Sequence, residues 1–476
     1  MDLLKLTALE LSAAIKRGDT TCLDAVNCVF NSIQKHKNLN AFITCDREYA
    51  LKRAKEVQEQ IDNGVYLSPL AGVPISVKDN ISTKDFKTTC ASRILENYMP
   101  CYDATVIQRL NEAGLIIIGK TNMDEFAMGS TGETSYFGCV KNPLCEEKVA
   151  GGSSSGSAVS VATAQAFLSL GSDTGGSVRQ PAAHCGVFGF KPTYGAVSRY
   201  GLIAYASSLD QIGVFSKTAQ DSAALLDIIS GKDEFDSTTI PDKIAFNSLC
   251  EDIKGCKIAI PNKCLSGIQP HVEDAVISFA DTLKKLGATV DFIELDIFDY
   301  AVAAYYIIAS AQASSNLSRY DGVKFGRRAE DYSSLADMYL KTRSQGFGYE
   351  VKKRIMLGNF VLCEGYYDAY YKKALEVKSL IDAKFNEVFS KYDFILTPTA
   401  PTTAPPINGT KSVNLDTYLE DIFTVPVNLS GLPAASVPYG CDDDGMPIGV
   451  QIIGPKCQDN KVLGLAHAVQ KSEVGR

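Results

Sequence analysis

The sequence predicts an α/β fold in which helices cover a large sheet, and three observations predict it. Amphipathic helical stretches alternate with short β-branched runs along most of the chain. The 476 residues are 45% hydrophobic and 21% charged, the balance of a globular protein with a sizeable core. No stretch has linker composition, so residues 1–476 are read as a single large domain.

The first 65 residues read as helices. "TTCLDAVNCVFNSIQKH" has apolar residues at helical spacing behind a Thr20 or Thr21 cap, and "DREYALKRAKEVQEQIDNG" is a charged helix closed by Gly64. "LAGVPISVKDN" reads as a strand, "ATVIQRLNEAG" as a helix and "LIIIG" as a buried strand. From Gly151 to about Gly201, Gly, Ser and Ala dominate and charges are sparse, which reads as closely packed backbone around a site. Helix and strand then alternate through "DSAALLDIISG", "KIAIP", "VEDAVISFADTLKKLG" and "ATVDFIEL". A long helical stretch covers about residues 300–392. The late strands are "FILTP", "AASVPYG" and "IGVQIIGP", and a helix near "VLGLAHAVQKS" ends the chain.

Lys and Arg number 47 against 55 Asp and Glu, a net charge of −8, so the chain is poorly suited to grip nucleic acid by itself. The fourteen cysteines include no C-x-x-C pair and no zinc spacing. "MDLLKLTALELSAAIKRGD" reads as an amphipathic helix rather than a secretory leader, which predicts reduced thiols and a cytoplasmic protein. No apolar run approaches the roughly 18 residues of a membrane span.

Two motif matches fail on mechanism. "GLIIIGKT" fits the phosphate-loop pattern by letter, but Leu-Ile-Ile-Ile wants to be a strand, not a turn that aims amides at phosphates. "GSSSG" fits the nucleophile elbow but lacks a strong strand before it, and His184, His271 and His467 sit in no suggestive context.

A different constellation survives. In "AGVPISVKDN", Val73, Ile75 and Val77 fall on one strand face and Pro74, Ser76 and Lys78 on the other. A lysine ending an apolar strand is a candidate base, because desolvation lowers its pKa; read alone, it is more often a solvated strand-end lysine. Downstream, "AGGSSSGSAVS" and "GSDTGGSVRQP" each place a serine after Gly-Gly, at Ser153 and Ser177.

Two Gly-Gly-Ser turns in one Gly/Ser-rich segment, behind a strand-borne lysine, resemble the amidase signature family. Its members use a Ser-Ser-Lys triad with no histidine. The resemblance implies a mixed central sheet covered by helices on both faces, with the signature core at about residues 66–220. It implies Ser177 as nucleophile, Ser153 as a bridging serine after a cis Gly152–Ser153 peptide, and Lys78 as base. The amides of Thr174, Gly175, Gly176 and Ser177 would form the oxyanion hole. A serine hydroxyl both donates and accepts, so Ser153 suits a relay.

"TNMDEFAMGS", "SSNLSRYDGVKFG", "EVKKRIMLGNFVL" and "DIFTVPVNLSGLPAASVP" are similar to the branch of that family that supplies ammonia for tRNA-dependent transamidation. The likeness covers nearly the whole chain. It implies glutamine as substrate, with Arg354 on its α-carboxylate, Asp421 on its α-ammonium, Tyr305 or its neighbour Tyr306 lining the pocket, and Ser130 touching substrate. Without the resemblance, Arg354 reads as a basic helix face and Asp421 as a helix-start acid. The branch further implies no cofactor on this chain and no membrane contact. ATP and Mg are expected at a tRNA-binding kinase/transamidase partner, the B subunit, which amidates Glu-tRNA(Gln) or Asp-tRNA(Asn), accompanied by a small C subunit. The acidic net charge agrees with tRNA contacts falling to the partner. The competing readings are a stand-alone amidase with the same triad and an inactive scaffold paralogue. The chain departs from the family pattern at Ser155, usually glycine, at His184, usually aromatic, at Ala150, often proline, and in "YGAVSR", which lacks a common basic residue. His184 is expected to pack rather than to act as base.

Overall fold

In the computed structural model, which describes residues 2–65, 67–249, 252–407 and 419–473, eleven strands form one sheet. They are β1 (Phe42–Cys45), β2 (Pro74–Lys78), β3 (Ile116–Thr121), β4 (Leu168–Asp173), β5 (Phe188–Lys191), β6 (Gln211–Ser216), β7 (Lys257–Pro261), β8 (Thr289–Ile293), β9 (Phe394–Pro398), β10 (Ala434–Cys441) and β11 (Pro447–Ile453). Their order is β1-β3-β2-β4-β6-β5-β10-β11-β9-β7-β8. The sheet is mixed: β3, β2 and β4 run parallel, as do β8, β7 and β9, and the pairs between those groups are antiparallel.

Alternation along the strands shows that both faces are covered. In β7, β9 and β10, Ile258 and Ile260, Phe394 and Leu396, and Ala435 and Val437 enter one apolar cluster. Ala259, Ile395 and Ala434, which point to the other face, enter a second cluster, built with the helix Phe298–Asn316. The same rule operates in β2. Val73, Ile75 and Val77 pack with Leu11, Ile15 and Val26 of the N-terminal helices. Ser76 faces the other way, bonded to Ser160 Oγ at 2.9 Å and Ser169 Oγ at 2.8 Å. That polar layer lies under the helix Ser155–Ala162, whose small side chains let it sit close to β2, β3 and β4.

Thr21 caps its helix, and most expected elements stand where periodicity places them. "GLIIIGKT" is strand from Ile116 onward: Lys120 lies inside β3, buried, donating to Ile81 O at 2.5 Å and Thr88 Oγ1 at 2.7 Å. Three expectations need correction. The first 65 residues include a strand, β1, a short and half-buried edge whose four residues give no usable alternation. The Gly/Ser-rich segment contains β4 and β5, which are legible as strands only once their neighbours are known. The long helical stretch breaks into helices Phe298–Asn316, Leu335–Gly346, Tyr349–Leu362 and Lys373–Phe389. Cys22, Cys90, Cys185 and Cys264 are buried free thiols. Among the described residues no helix is long and apolar enough to cross a membrane.

Candidate active site

Lys78 closes β2 and is fully buried. Its Nζ lies 2.8 Å from Ser153 Oγ, 2.7 Å from Ser154 Oγ, 2.9 Å from Ser172 Oγ and 3.2 Å from the Ser172 carbonyl oxygen. Burial lowers its pKa to about 7, with the carboxylates of Asp124, Asp173 and Asp210 pulling it back upward. An amine in that range is partly neutral at pH 7 and has a lone pair to accept a hydroxyl proton.

Ser153 is fully buried and follows a cis Gly152–Ser153 peptide. Its backbone is held from one side by Asp124, whose N–H donates to the Ser153 carbonyl at 3.1 Å. The Asp124 carboxylate accepts from the amides of Gly132 and Thr134 and from Thr134 Oγ1 at 2.8 Å. Gln180 holds the preceding residue, accepting the Gly152 amide at 2.9 Å and donating to the Ser130 carbonyl at 2.9 Å.

Ser177 retains 8% of its surface, and its hydroxyl has no hydrogen-bond partner among the described residues. The turns carrying the two serines are tied through the backbone: Ser154 N–H donates to the Ser177 carbonyl at 3.1 Å. The Lys78–Ser153 contact is therefore made, while the Ser153 and Ser177 hydroxyls stand without a mutual hydrogen bond. Loose contacts of this kind tighten when substrate binds.

The turn before Ser177 shows why two glycines are needed. A Cβ at Gly175 would meet the Tyr305 ring 2.6 Å away. Gly176 has φ +139°, and a Cβ there would collide with Thr424, whose hydroxyl donates to the Gly175 carbonyl at 2.6 Å. The Gly176 amide corrects the expected oxyanion hole. It already donates to Asp173 Oδ1 at 2.9 Å, because the carboxylate at the end of β4 turns back to cap the loop. Among the described residues the amides of Thr174, Gly175 and Ser177 have no such acceptor.

Asp173 is the hub behind this turn. It is fully buried and ion-paired with Arg179, also fully buried, at 3.0 Å. It accepts from the Val178 amide at 3.1 Å and from Asn428 Nδ2 at 2.9 Å. Burial favours the neutral acid, but the Arg179 guanidinium outweighs it and holds the carboxyl well below the ordinary range. Arg179 also donates to the Thr424 carbonyl at 3.1 Å and to Gln451 Oε1 at 2.6 Å, which anchors the turn to the C-terminal strands.

The expected substrate contacts Asp421 and Arg354 are both buried. Asp421 is buried, accepts from Ser130 Oγ at 2.5 Å, and is pushed up to about 7 by burial, against the pull of Ser130 and Arg354. Arg354 is buried on the helix Tyr349–Leu362. Its Nε donates to Glu350 Oε1 at 2.8 Å and its Nη1 to Tyr205 Oη at 2.5 Å, which leaves Nη2 without an acceptor among the described residues. Its guanidinium lies 5.0 Å from the Tyr306 ring centroid and 5.6 Å from that of Tyr205. The tyrosine alternatives thus separate: Tyr305 packs on the serine turn, and Tyr306 packs on Arg354. His184 lies buried in the helix Arg179–Cys185, no hydrogen bond joins it to Ser153 or Ser177, and burial lowers its pKa to about 4. Ser155 Oγ, the other departure near the site, is buried without a hydrogen-bond partner among the described residues.

Sequence reasoning missed Ser154, Ser172, Asp124, the Asp173–Arg179 pair, Tyr205, Glu350 and Thr424. Asp173 and Arg179 did carry a signal. They are two of only four Lys, Arg, Asp or Glu residues in residues 151–201, and charges in a buried segment must be paired.

A lysine desolvated on a strand end, a fully buried serine against it and a nearly buried serine on a Gly-Gly turn have the makings of a histidine-free serine amidohydrolase site. The chain belongs to the amidase family, whose profile matches residues 24–463. It is 53% identical to the A subunit of glutamyl-tRNA(Gln) amidotransferase from Lachnospira eligens, over 99% of each chain. It is also similar to the crystal structure of the corresponding protein from Thermotoga maritima, with TM-score 0.81 and 41% identity over 99% of this chain and 95% of that one. A peptide amidase from Stenotrophomonas maltophilia shares the fold more distantly, with TM-score 0.82 and 26% identity over 98% and 97% of the two chains.

Proposed function

We propose that this chain is the glutamine-hydrolysing component of a tRNA-dependent amidotransferase. The observation that carries the reading is the buried Arg354–Asp421 pair of opposite charges beside the Ser177 turn. A free amino acid presents a carboxylate and an ammonium at one carbon, and a site that selects it needs one group of each sign. Arg354 Nη2 is available to the carboxylate, and Asp421, steadied by Ser130, to the ammonium. The amide end of glutamine then lies toward Ser177.

In this mechanism Ser177 Oγ attacks the side-chain amide carbon. Its proton passes to Ser153 Oγ as the Ser153 proton passes to neutral Lys78 Nζ. The amides of Thr174, Gly175 and Ser177 stabilise the oxyanion. Collapse breaks the C–N bond, the proton held at Lys78 returns through Ser153 to the nitrogen, and ammonia leaves. Water attacks the γ-glutamyl ester by the same relay, releasing glutamate and restoring Ser177.

The ammonia goes to a partner, the B subunit, which binds tRNA, ATP and Mg and amidates Glu-tRNA(Gln) or Asp-tRNA(Asn), with a small C subunit completing a cytoplasmic complex. The relatives' designation as the A subunit of an amidotransferase and the net charge of −8 support this division of labour. The test is co-purification with such partners followed by a glutaminase assay. Glutamine hydrolysis is expected. Turnover of simple amides without glutamine turnover would replace this reading with a stand-alone amidase.

A further inference from the structure

Glu125 lies beside the proposed machinery but outside it. The residue is 3% exposed, in the short turn Glu125–Ala127 that follows Asp124. Its Oε2 accepts the Gly348 amide at 2.8 Å, and its Oε1 accepts the Ser92 hydroxyl. Gly348 is the N-cap of the helix Tyr349–Leu362, and a Cβ there would run into Glu125 Oε2. The carboxylate therefore seats the first turn of the helix that carries both Glu350 and Arg354. Six residues separate Gly348 from Arg354, roughly 9 Å along a helix. The seat is reinforced by Phe126, whose ring lies 5.6 Å from that of Phe347, the residue before the cap.

The other side of the same turn reaches the chemistry. Asp124, one residue earlier, donates its N–H to the Ser153 carbonyl. Ser92 belongs to a loop fixed by Asp79, the residue after Lys78: Asp79 Oδ2 accepts the amides of Thr89 at 3.0 Å and Ala91 at 3.3 Å. Phe126 N–H donates to the Cys90 carbonyl at 2.9 Å, which joins the two loops. Four non-glycine residues here, Cys90, Ala91, Phe126 and Ala127, have φ between 50° and 61°. Such conformations persist only where the surroundings over-determine them, and they cluster at functional sites.

We propose that Glu125 is a positioning residue for substrate selection: it fixes the Arg354 helix against the Lys78–Ser153 scaffold, so that Arg354 meets the α-carboxylate while the side-chain amide meets Ser177. This rests on the glutamine reading above. The test compares kcat and KM for glutamine and for butyramide, which keeps the reacting amide and lacks both α groups. Wild type is measured beside Glu125→Ala, Glu125→Gln, Ser92→Ala and Arg354→Ala. Glu125→Ala is expected to raise KM for glutamine about 10- to 100-fold, the scale of a small misplacement of a positioning group, with kcat changed less than about threefold. Butyramide turnover should be unchanged within about threefold. Glu125→Gln, which can still accept the Gly348 amide, should restore most of the loss. Ser92→Ala, which leaves the carboxylate in place, should shift KM in the same direction by less, and it keeps the test open if Glu125→Ala fails to fold. Equal losses on both substrates, a loss confined to kcat, or no loss would overturn the proposal. If Arg354→Ala itself shows no preference for damaging glutamine, the glutamine reading fails instead.

Discussion

The two ends of the site are built differently. Lys78, Ser153 and Ser172 are held by sheet strands and by backbone turns that leave no room for side chains. Arg354 and Asp421 are held by a helix and a loop from the C-terminal half, through side-chain contacts to Glu350, Tyr205 and Ser130. A hydroxyl relay tolerates almost no displacement, so a rigid sheet edge suits it. Substrate choice needs only two charges at the right separation, and these can come from elements that vary around a constant scaffold. On the proposed mechanism, reaction type belongs to the β2–β4 region and substrate identity to the elements beside it.

Substitutions can break that division. The largest effect is expected from Ser177→Ala, which removes the proposed nucleophile from a turn whose hydrogen bonds are all made by other groups. Glutamine and butyramide hydrolysis should both fall below detection while the thermal unfolding curve is retained. Near-normal turnover would remove Ser177 from the mechanism.

Lys78→Ala should lower kcat on both substrates by about 10²–10⁴, the range for loss of a general base. The pH profile sharpens the point. Lys78 must be neutral to accept a proton, and burial places its pKa at about 7. Butyramide turnover should therefore rise from acid pH through a midpoint of about 7 and level off above it. Glutamine also requires ionised Asp421, which burial likewise pushes up to about 7, so its kcat/KM should rise more steeply over the same interval. Identical limbs would argue that Asp421 does not meet the ammonium group.

Arg354→Ala tests the selective end. A charge-assisted hydrogen bond is worth roughly 1.5–3 kcal/mol, so kcat/KM for glutamine should drop about 10- to 100-fold with little change for butyramide. Asp421→Ala should behave alike. Equal damage to both substrates would make these residues structural.

The smallest effect is expected from His184→Ala, less than about threefold in kcat, the scale of a residue outside the proton path. Its ring is neutral at pH 7 and bonded to neither serine. A larger loss there than at Lys78 would mean that the histidine, not the lysine, takes the serine proton.

The same contrast explains what was legible in the sequence. Alternation in "VPISVK" separates the apolar face of β2 from the face carrying Ser76 and Lys78, and paired Gly-Gly-Ser turns announce close backbone. Local pattern sufficed because local geometry positions these groups. Arg354 and Asp421 have no such mark: an arginine on a helix looks alike whether it faces solvent or a buried tyrosine, and only the family resemblance singled them out. Ser172 escaped because its contact to Lys78 arises from the pairing of β2 with β4, 94 residues away, and Ser154 because it reaches Lys78 from the N-cap of the helix Ser155–Ala162, 76 residues away. The Gly176 amide was misjudged because its acceptor, Asp173, lies three residues back and turns inward, a local hydrogen bond that a motif does not reveal.

The most direct test of the central claim is to acid-quench the wild-type protein, assembled with its partners, during steady glutamine turnover and map the covalent intermediate by peptide mass spectrometry. The account predicts a γ-glutamyl ester on the peptide containing Ser177, absent in Ser177→Ala and slow to form in Lys78→Ala. A glutamyl adduct on any other side chain, or steady ammonia release with no adduct on Ser177 under conditions that trap acyl-enzymes, would contradict it.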